Sequence, residues 1–251
     1  MQYNNSPYGQ QPQEPRDLFP SLWGSQENLD RATTSCLARV FMRMFVALLV
    51  TAAVSFGIDQ TMGAMNILEN YPLLFFGVLI AQLILVLVLG FKVMKISPVV
   101  SNIMFFVYAI LMGITLSFVF ISYELGTIFQ AFAISALMFG AMAIYGTITK
   151  RDLTRIGTFL RMALIGLILA SIVNLFFLNE TMFMIVNYAG VLIFVGLTAY
   201  DTQRIKNMLA QANAENEEEA IKKISVMGAL ILYLDFINIF LKILAILGRR
   251  R

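Results

Sequence analysis

Seven apolar stretches, each about as long as a bilayer is thick, run along this chain of 251 residues. A helix needs roughly 20 mostly apolar residues to cross the hydrocarbon core of a membrane. Hydrophobic residues make up 59% of the chain and charged residues only 13%, which excludes an ordinary soluble domain. The stretches are Val40–Ile58, Tyr71–Phe91, Val99–Ser122, Ile128–Ile148, Phe159–Phe177, Met182–Tyr200 and Ile224–Leu247. The sequence therefore predicts an all-α membrane protein with seven transmembrane helices.

The first 30 residues differ in composition from everything that follows. They are polar and rich in Gln, Asn and Pro, so they cannot bury a core. No basic segment leads directly into a short apolar one, and we therefore expect no cleaved signal peptide. The predicted organisation is a disordered tail over 1–30 and a seven-helix transmembrane domain over 31–251.

Basic residues alternate from loop to loop in a way that orients the helices. The segment before the first stretch and the second, fourth and sixth loops carry lysines or arginines, whereas the other three loops carry none. Those three loops contain Asp59, Glu69, Glu124 and Glu180. Because cytoplasmic loops are enriched in Lys and Arg, this pattern predicts a cytoplasmic N-terminus. For the last stretch we favour a full crossing, with a re-entrant segment as the alternative.

Each of the last two apolar stretches is associated with an aspartate, Asp201 in the sixth and Asp235 in the seventh. A carboxylate near the centre of a membrane helix costs roughly 2.5–3.5 kcal/mol on insertion scales, and such residues usually mark an ion or proton route. The chain contains no histidine. Any response to pH between neutral and acid must therefore come from carboxylates.

Helical spacing places these aspartates on two polar stripes. Positions three, four or seven residues apart share a helix face. The seventh stretch has Gly228, Asp235, Asn238 and Lys242 in this spacing, and the sixth has Asn187, Gly190, Thr198 and Asp201. We expect the stripes to face each other, with the glycines permitting close approach.

The members of these stripes differ in expected role. Asn187, Asn238 and Thr198 support the aspartates, and for the amides a simple hydrogen bond between helices is the simpler interpretation. Lys242 lies near a helix end, where we expect it to extend toward the membrane surface. The two aspartates are the best functional candidates, because two buried like charges oppose folding unless one keeps a proton or a cation joins them. They meet only if the sixth helix continues past Tyr200.

Several motifs resemble one known family. They are YDTQRI after the sixth stretch, LYLDFINIFLKIL in the seventh, the segment Thr149–Phe176 and GITL at Gly113–Leu116. Together they resemble the Bax inhibitor-1 family, also called the transmembrane Bax inhibitor motif family, and in particular its bacterial members. The resemblance covers roughly Arg31 to Gly248.

This resemblance implies a bundle in which the last helix is surrounded by the other six. It implies a pH-sensitive calcium leak of the bacterial cytoplasmic (inner) membrane, gated by the pair Asp201 and Asp235, which would also hold calcium transiently. A basic residue at the cytoplasmic end of the second helix would latch the pair, and Lys95 or Lys92 occupies that region. Calcium is then the transported ion, no cofactor is expected, and the protein is not an enzyme.

Two other classes of function compete with a calcium leak. The protein could be an interaction protein that acts on a membrane protease or on a stress or cell-death response without transport. It could instead be an intramembrane aspartyl protease, which also uses two aspartates on adjacent helices. However, Leu232, Tyr233 and Leu234 precede Asp235, so the GxGD half of the protease signature is missing. The lipid bilayer is an expected partner in every case, and nucleic acid in none.

Overall fold

The computed structural model describes residues 20–61, 70 and 72–248. Within them seven helices are long and apolar enough to cross a membrane, as predicted. They are α1 (Pro20–Thr61), α2 (Pro72–Lys92), α3 (Pro98–Leu116), α4 (Leu125–Ile148), α5 (Thr154–Phe177), α6 (Glu180–Ala214) and α7 (Glu218–Leu247). A 3-10 turn (Val93–Lys95) follows α2, and a helical turn (Val119–Ser122) follows α3.

Helix α1 begins well before the first apolar stretch. Its start at Pro20 means that residues 20–30 are helical, so the domain boundary expected at residue 30 falls inside a helix. Hydropathy marks only the part of a helix that meets lipid, and polar turns that extend beyond the membrane leave no such signal. Residues 1–19 lie outside the described part of the chain, and their disorder stays a prediction.

Local capping groups set where several helices begin and how neighbours are joined. Ser97 caps α3 by accepting a hydrogen bond from the Val100 amide, and Pro98 occupies the first helical turn. The Asn179 side chain caps α6 by accepting from the Met182 amide at 2.9 Å. The turn between α6 and α7 includes Asn216 at φ 55°, a left-handed conformation that asparagine tolerates well. This short turn makes α6 and α7 antiparallel neighbours.

The last helix is the most buried of the seven. In its most apolar 18-residue window 56% of the residues are buried, against 44% for α6 and 11% for α5. The main packing partners of α7 are α6, α1, α4 and α3. The prediction that all six other helices surround it is therefore not confirmed. Helix α7 is continuous over 30 residues, about 45 Å, which supports a full crossing rather than a re-entrant segment.

A buried hydrogen-bond network ties α1, α3 and α7 together. The Thr51 hydroxyl of α1 donates to the Ala109 carbonyl of α3 at 2.9 Å. Its single proton is used there, so the Tyr233 hydroxyl of α7 donates to Thr51 Oγ1 at 2.7 Å. The two bonds satisfy hydroxyls that would otherwise be costly in an apolar interior, and they fix α7 against the first and third helices.

Candidate functional site

Two glycines set the spacing between α6 and α7. A Cβ atom at Gly228 would lie 2.9 Å from Ile205 Cγ2, and one at Gly190 would lie 3.1 Å from Lys242 Cδ. Both distances are tighter than ordinary van der Waals contact, so the close approach depends on glycine. These two contacts confirm the prediction that the polar faces of α6 and α7 are turned toward each other at Gly190 and Gly228.

The same contacts fix the register of the two helices. Because α6 and α7 are antiparallel, with Gly190 opposite Lys242 and Ile205 opposite Gly228, Asp235 lies opposite Thr198. Asp201 lies three residues, roughly 4.5 Å along the helix axis, closer to the α6–α7 turn. Helix α6 runs without a break to Ala214, which meets the condition for the two aspartates to be neighbours.

Both carboxyl groups are buried. Asp235 is 5% exposed and Asp201 9%, and the two are close enough to interact electrostatically. In the described part of the chain no hydrogen bond joins them, and Asp235 Oδ2 is fully buried without a hydrogen-bond partner. An ionised carboxylate is costly in such a place. The site therefore favours a group that neutralises it, either a proton or a cation.

Two arginines supply positive charge on the Asp201 side of the pair. Arg204 of α6 and Arg161 of α5 both interact electrostatically with Asp201. The Arg161 guanidinium also donates a hydrogen bond to the Tyr200 hydroxyl, and its Cζ atom lies 4.7 Å from the centre of the Tyr200 ring. The sequence did not predict a role for Arg161 at the pair, because linear spacing does not show that α5 and α6 meet at this point.

Gln203 of the YDTQRI segment, and Lys206 directly after that segment, hold the end of α4 and the loop between α4 and α5 against α6. Gln203 accepts a hydrogen bond from the Leu153 amide at 3.0 Å and donates to the Arg151 carbonyl at 2.8 Å. Lys206 donates to the Thr147 carbonyl at 2.8 Å. We call these bonds the loop clamp. The motif thus carries structural roles beside Asp201 that its sequence alone did not reveal.

Two further glycines bring α4 and α5 against α6 immediately before Asp201. A Cβ atom at Gly146 of α4 would collide with the Ala199 carbonyl oxygen, and one at Gly157 of α5 would collide with the Tyr200 ring. The position of Asp201 therefore depends on glycines in two neighbouring helices, which sequence analysis did not single out.

The supporting polar residues bond within their own helices. Asn187 donates to the Phe183 carbonyl at 2.9 Å and Asn238 to the Leu234 carbonyl at 2.8 Å. The Thr198 hydroxyl donates to the carbonyl of Phe194 at 2.8 Å. Within the described residues these side chains form no hydrogen bond between helices, contrary to the simpler interpretation of the amides.

Comparison with known proteins identifies the family. The sequence profile described as "Inhibitor of apoptosis-promoting Bax1" matches residues 33–251. The chain belongs to the Bax inhibitor-1 family. The match includes both aspartates, the loop clamp and all of α7.

Bacterial relatives in the Bax inhibitor-1 family are similar over most of their length. The inner membrane protein YbhL of Escherichia coli K12 is 46% identical over 215 residues, which cover 86% of this chain and 92% of YbhL. An uncharacterised protein of Rickettsia prowazekii is 37% identical over 244 residues, 94% of this chain and 99% of its own. With its seven apolar helices, the chain is an integral membrane protein of the Bax inhibitor type, and neither relative's name describes an enzyme.

The latch implied by the family resemblance is not formed in this structure. Lys92 and Lys95 are both exposed, and no salt bridge among the described residues joins either one to Asp201. The cations near Asp201 are Arg204 and Arg161 instead. The 3-10 turn that ends in Lys95 does contact α7, where Lys223 donates to the Met94 carbonyl at 2.9 Å.

Proposed function

We propose that the protein is a pH-sensitive calcium leak in which Asp201 and Asp235 form the gate. The observation that carries this proposal is the buried, unpartnered Oδ2 atom of Asp235 on the helix that faces Asp201. Family membership supports it, because the resemblance implies this activity for the same two residues.

The chemistry of the pair accounts for both gating and transport. Two neighbouring carboxyl groups in a low-dielectric bundle share one proton more readily than both ionise, so they titrate as a unit. Loss of the shared proton leaves two negative oxygen ligands, which suit a hard cation such as calcium. The described residues contain no group of three or more candidate metal ligands. The site would bind calcium weakly, as conduction requires.

The positive charge that opposes calcium entry at the pair comes from Arg204 and Arg161. They stand beside Asp201 in this structure, whereas Lys95 and Lys92, the candidate latch, are exposed. A latch through either lysine would require α2 to move toward α6. It stays a prediction.

Calcium flux into sealed vesicles tests the proposed function. The purified protein is reconstituted into liposomes that contain a calcium-sensitive dye, and calcium is added outside at several pH values between about 5 and 8. We expect calcium entry above that of protein-free liposomes, with a rate that changes with pH. A rate equal to that of protein-free liposomes at every pH would refute the leak.

We propose further that the N-terminus is cytoplasmic and that the protein lies in a bacterial inner membrane, as the name of YbhL indicates for that relative. The prediction is tested with single cysteines at exposed Glu124 and Lys222, in a variant in which Cys36 is replaced by alanine. An impermeant thiol reagent added outside should label position 124 and not 222, because the positive-inside rule places them on opposite sides. Labelling of 124 only from the cytoplasm would reverse the orientation.

Binding of another membrane protein, such as a membrane protease, is the second candidate function. The observation that favours it is the low burial of α5, 11% of its apolar window, which leaves an apolar helix face available within the bilayer. A protein that lacks calcium flux in liposomes but co-purifies with a membrane protease would support this function over the leak.

A further inference from the structure

The side chain of Lys242 packs across the interface between α6 and α7. Its Cδ and Cε atoms are each 3.1 Å from the position that a Cβ atom of Gly190 would occupy. The ammonium nitrogen is one bond, about 1.5 Å, beyond Cε. The aliphatic stem therefore crosses Gly190, and the charged group begins close to α6.

The ammonium group has no partner in the described part of the chain. No hydrogen bond or salt bridge of Lys242 is present among those residues, although the side chain is half-buried. The stem is buried along the interface, and no carboxylate among the described residues neutralises the charge that it carries.

Lys242 stands between a polar cavity and the aspartate pair. A cavity of about 870 Å³ opens at the end of the bundle where α6 begins and α7 ends, and Asn174, Asn179, Glu180 and Ile246 are among its lining residues. Ile246 is one helical turn from Lys242. In the other direction Asn238 and then Asp235 follow on the same face at intervals of one turn. We call this cavity the outer vestibule, since this is the predicted outer end.

We propose that Lys242 is the charge barrier of the calcium route, a cation that ions must pass between the outer vestibule and Asp235. This inference rests on the proposed function. Along α7, the stripe formed by Lys242, Asn238 and Asp235 runs from the vestibule end toward the pair. A positive charge on it repels an entering divalent cation, and the low dielectric of the bundle strengthens that repulsion.

The barrier explains how a route with two carboxylates could pass calcium slowly. Acidic Glu180 at the vestibule attracts cations, and Asp235 provides a ligand further in. Without an opposing charge between them, the route would favour unrestricted cation entry. Lys242 limits the rate without blocking the path, because its flexible side chain can move aside from Gly190.

Substitutions that separate charge from shape test the proposal in the liposome assay. Lys242→Gln removes the charge and should raise calcium entry by about tenfold. Lys242→Arg keeps the charge and should leave entry near that of the unmodified protein. Lys222→Gln is the control, since this lysine is exposed at the start of α7 and should have no effect.

A second measurement restores the positive charge chemically on a cysteine at position 242, so that calcium entry is compared within one protein preparation. Lys242→Cys, with Cys36 replaced by alanine, should also show raised entry. A positively charged thiol reagent should then reduce it, and a negatively charged reagent of similar size should not. If unmodified protein conducts and Lys242→Gln conducts equally, or if both reagents act alike, the barrier assignment is wrong. If no variant conducts above protein-free liposomes, the proposed leak itself fails and the barrier with it.

Discussion

Replacing Asp235 by asparagine should flatten the pH dependence of calcium entry between about pH 5 and 8. Asparagine keeps the shape of the side chain but cannot release a proton, and the single remaining carboxyl group of Asp201 no longer shares one. The chain contains no histidine that could take over this titration. Calcium entry into liposomes across this pH range measures the effect, and Asp201→Asn should behave in the same way.

A matched control for this substitution is Asp152→Asn in the loop between α4 and α5. The hydrogen bond from the Thr154 hydroxyl, followed by that from its backbone amide, lowers the pKa of Asp152 below its usual value. Asp152 therefore stays ionised throughout the assay range, and asparagine can accept the same bonds. Its replacement should leave the pH profile unchanged. If Asp201→Asn and Asp235→Asn also kept the original profile and rate, the pair would be structural.

Introducing a methyl group at Gly146 should destabilise the protein by about 1–3 kcal/mol. The new Cβ atom would collide with the Ala199 carbonyl oxygen, and a backbone atom in the middle of α6 cannot turn aside as a flexible side chain could. Gly157→Ala should be destabilising for a related reason, because its Cβ atom would overlap the Tyr200 ring. Reversible unfolding in mixed micelles measures the free energy of unfolding of each variant.

The same two helices provide controls for these substitutions. Gly140 of α4 and Gly166 of α5 have no atom within 4 Å of their Cβ positions. Alanine there should be neutral or stabilising by up to about 1 kcal/mol, since it is the better helix former. Equal stabilities of Gly146→Ala and Gly140→Ala would mean that α4 and α6 are not in tight contact before Asp201.

The seven helices could be predicted from hydropathy, but their ends could not. Lipid-facing segments are apolar over about 20 residues and therefore visible in sequence. The 14 residues of α6 after Tyr200 include Asp201, Gln203 and Lys206, whose polarity suggests a loop. They are helical because they pack against α1 and the α4–α5 loop, through contacts such as that of Asn213 with Cys36.

The facing stripes of the site could be predicted because helical spacing is a local property. The residues from other helices that contact the site could not be predicted. Arg161, Gly146 and Gly157 belong to α4 and α5 and reach the site only through tertiary packing. The asparagine bonds were misjudged for another reason. An amide side chain can donate to the backbone carbonyl one turn earlier in its own helix, and sequence does not distinguish that bond from one across an interface.

The loop clamp has a mechanical consequence for any motion of the gate. Gln203 and Lys206 fasten the α4–α5 connection to α6, and Arg161 fastens α5 to the same point through Tyr200. These bonds couple α4 and α5 to the helix that carries Asp201. Separating the aspartates therefore requires α6 to move past α7 at the contacts where Lys242 crosses Gly190 and Ile205 packs on Gly228.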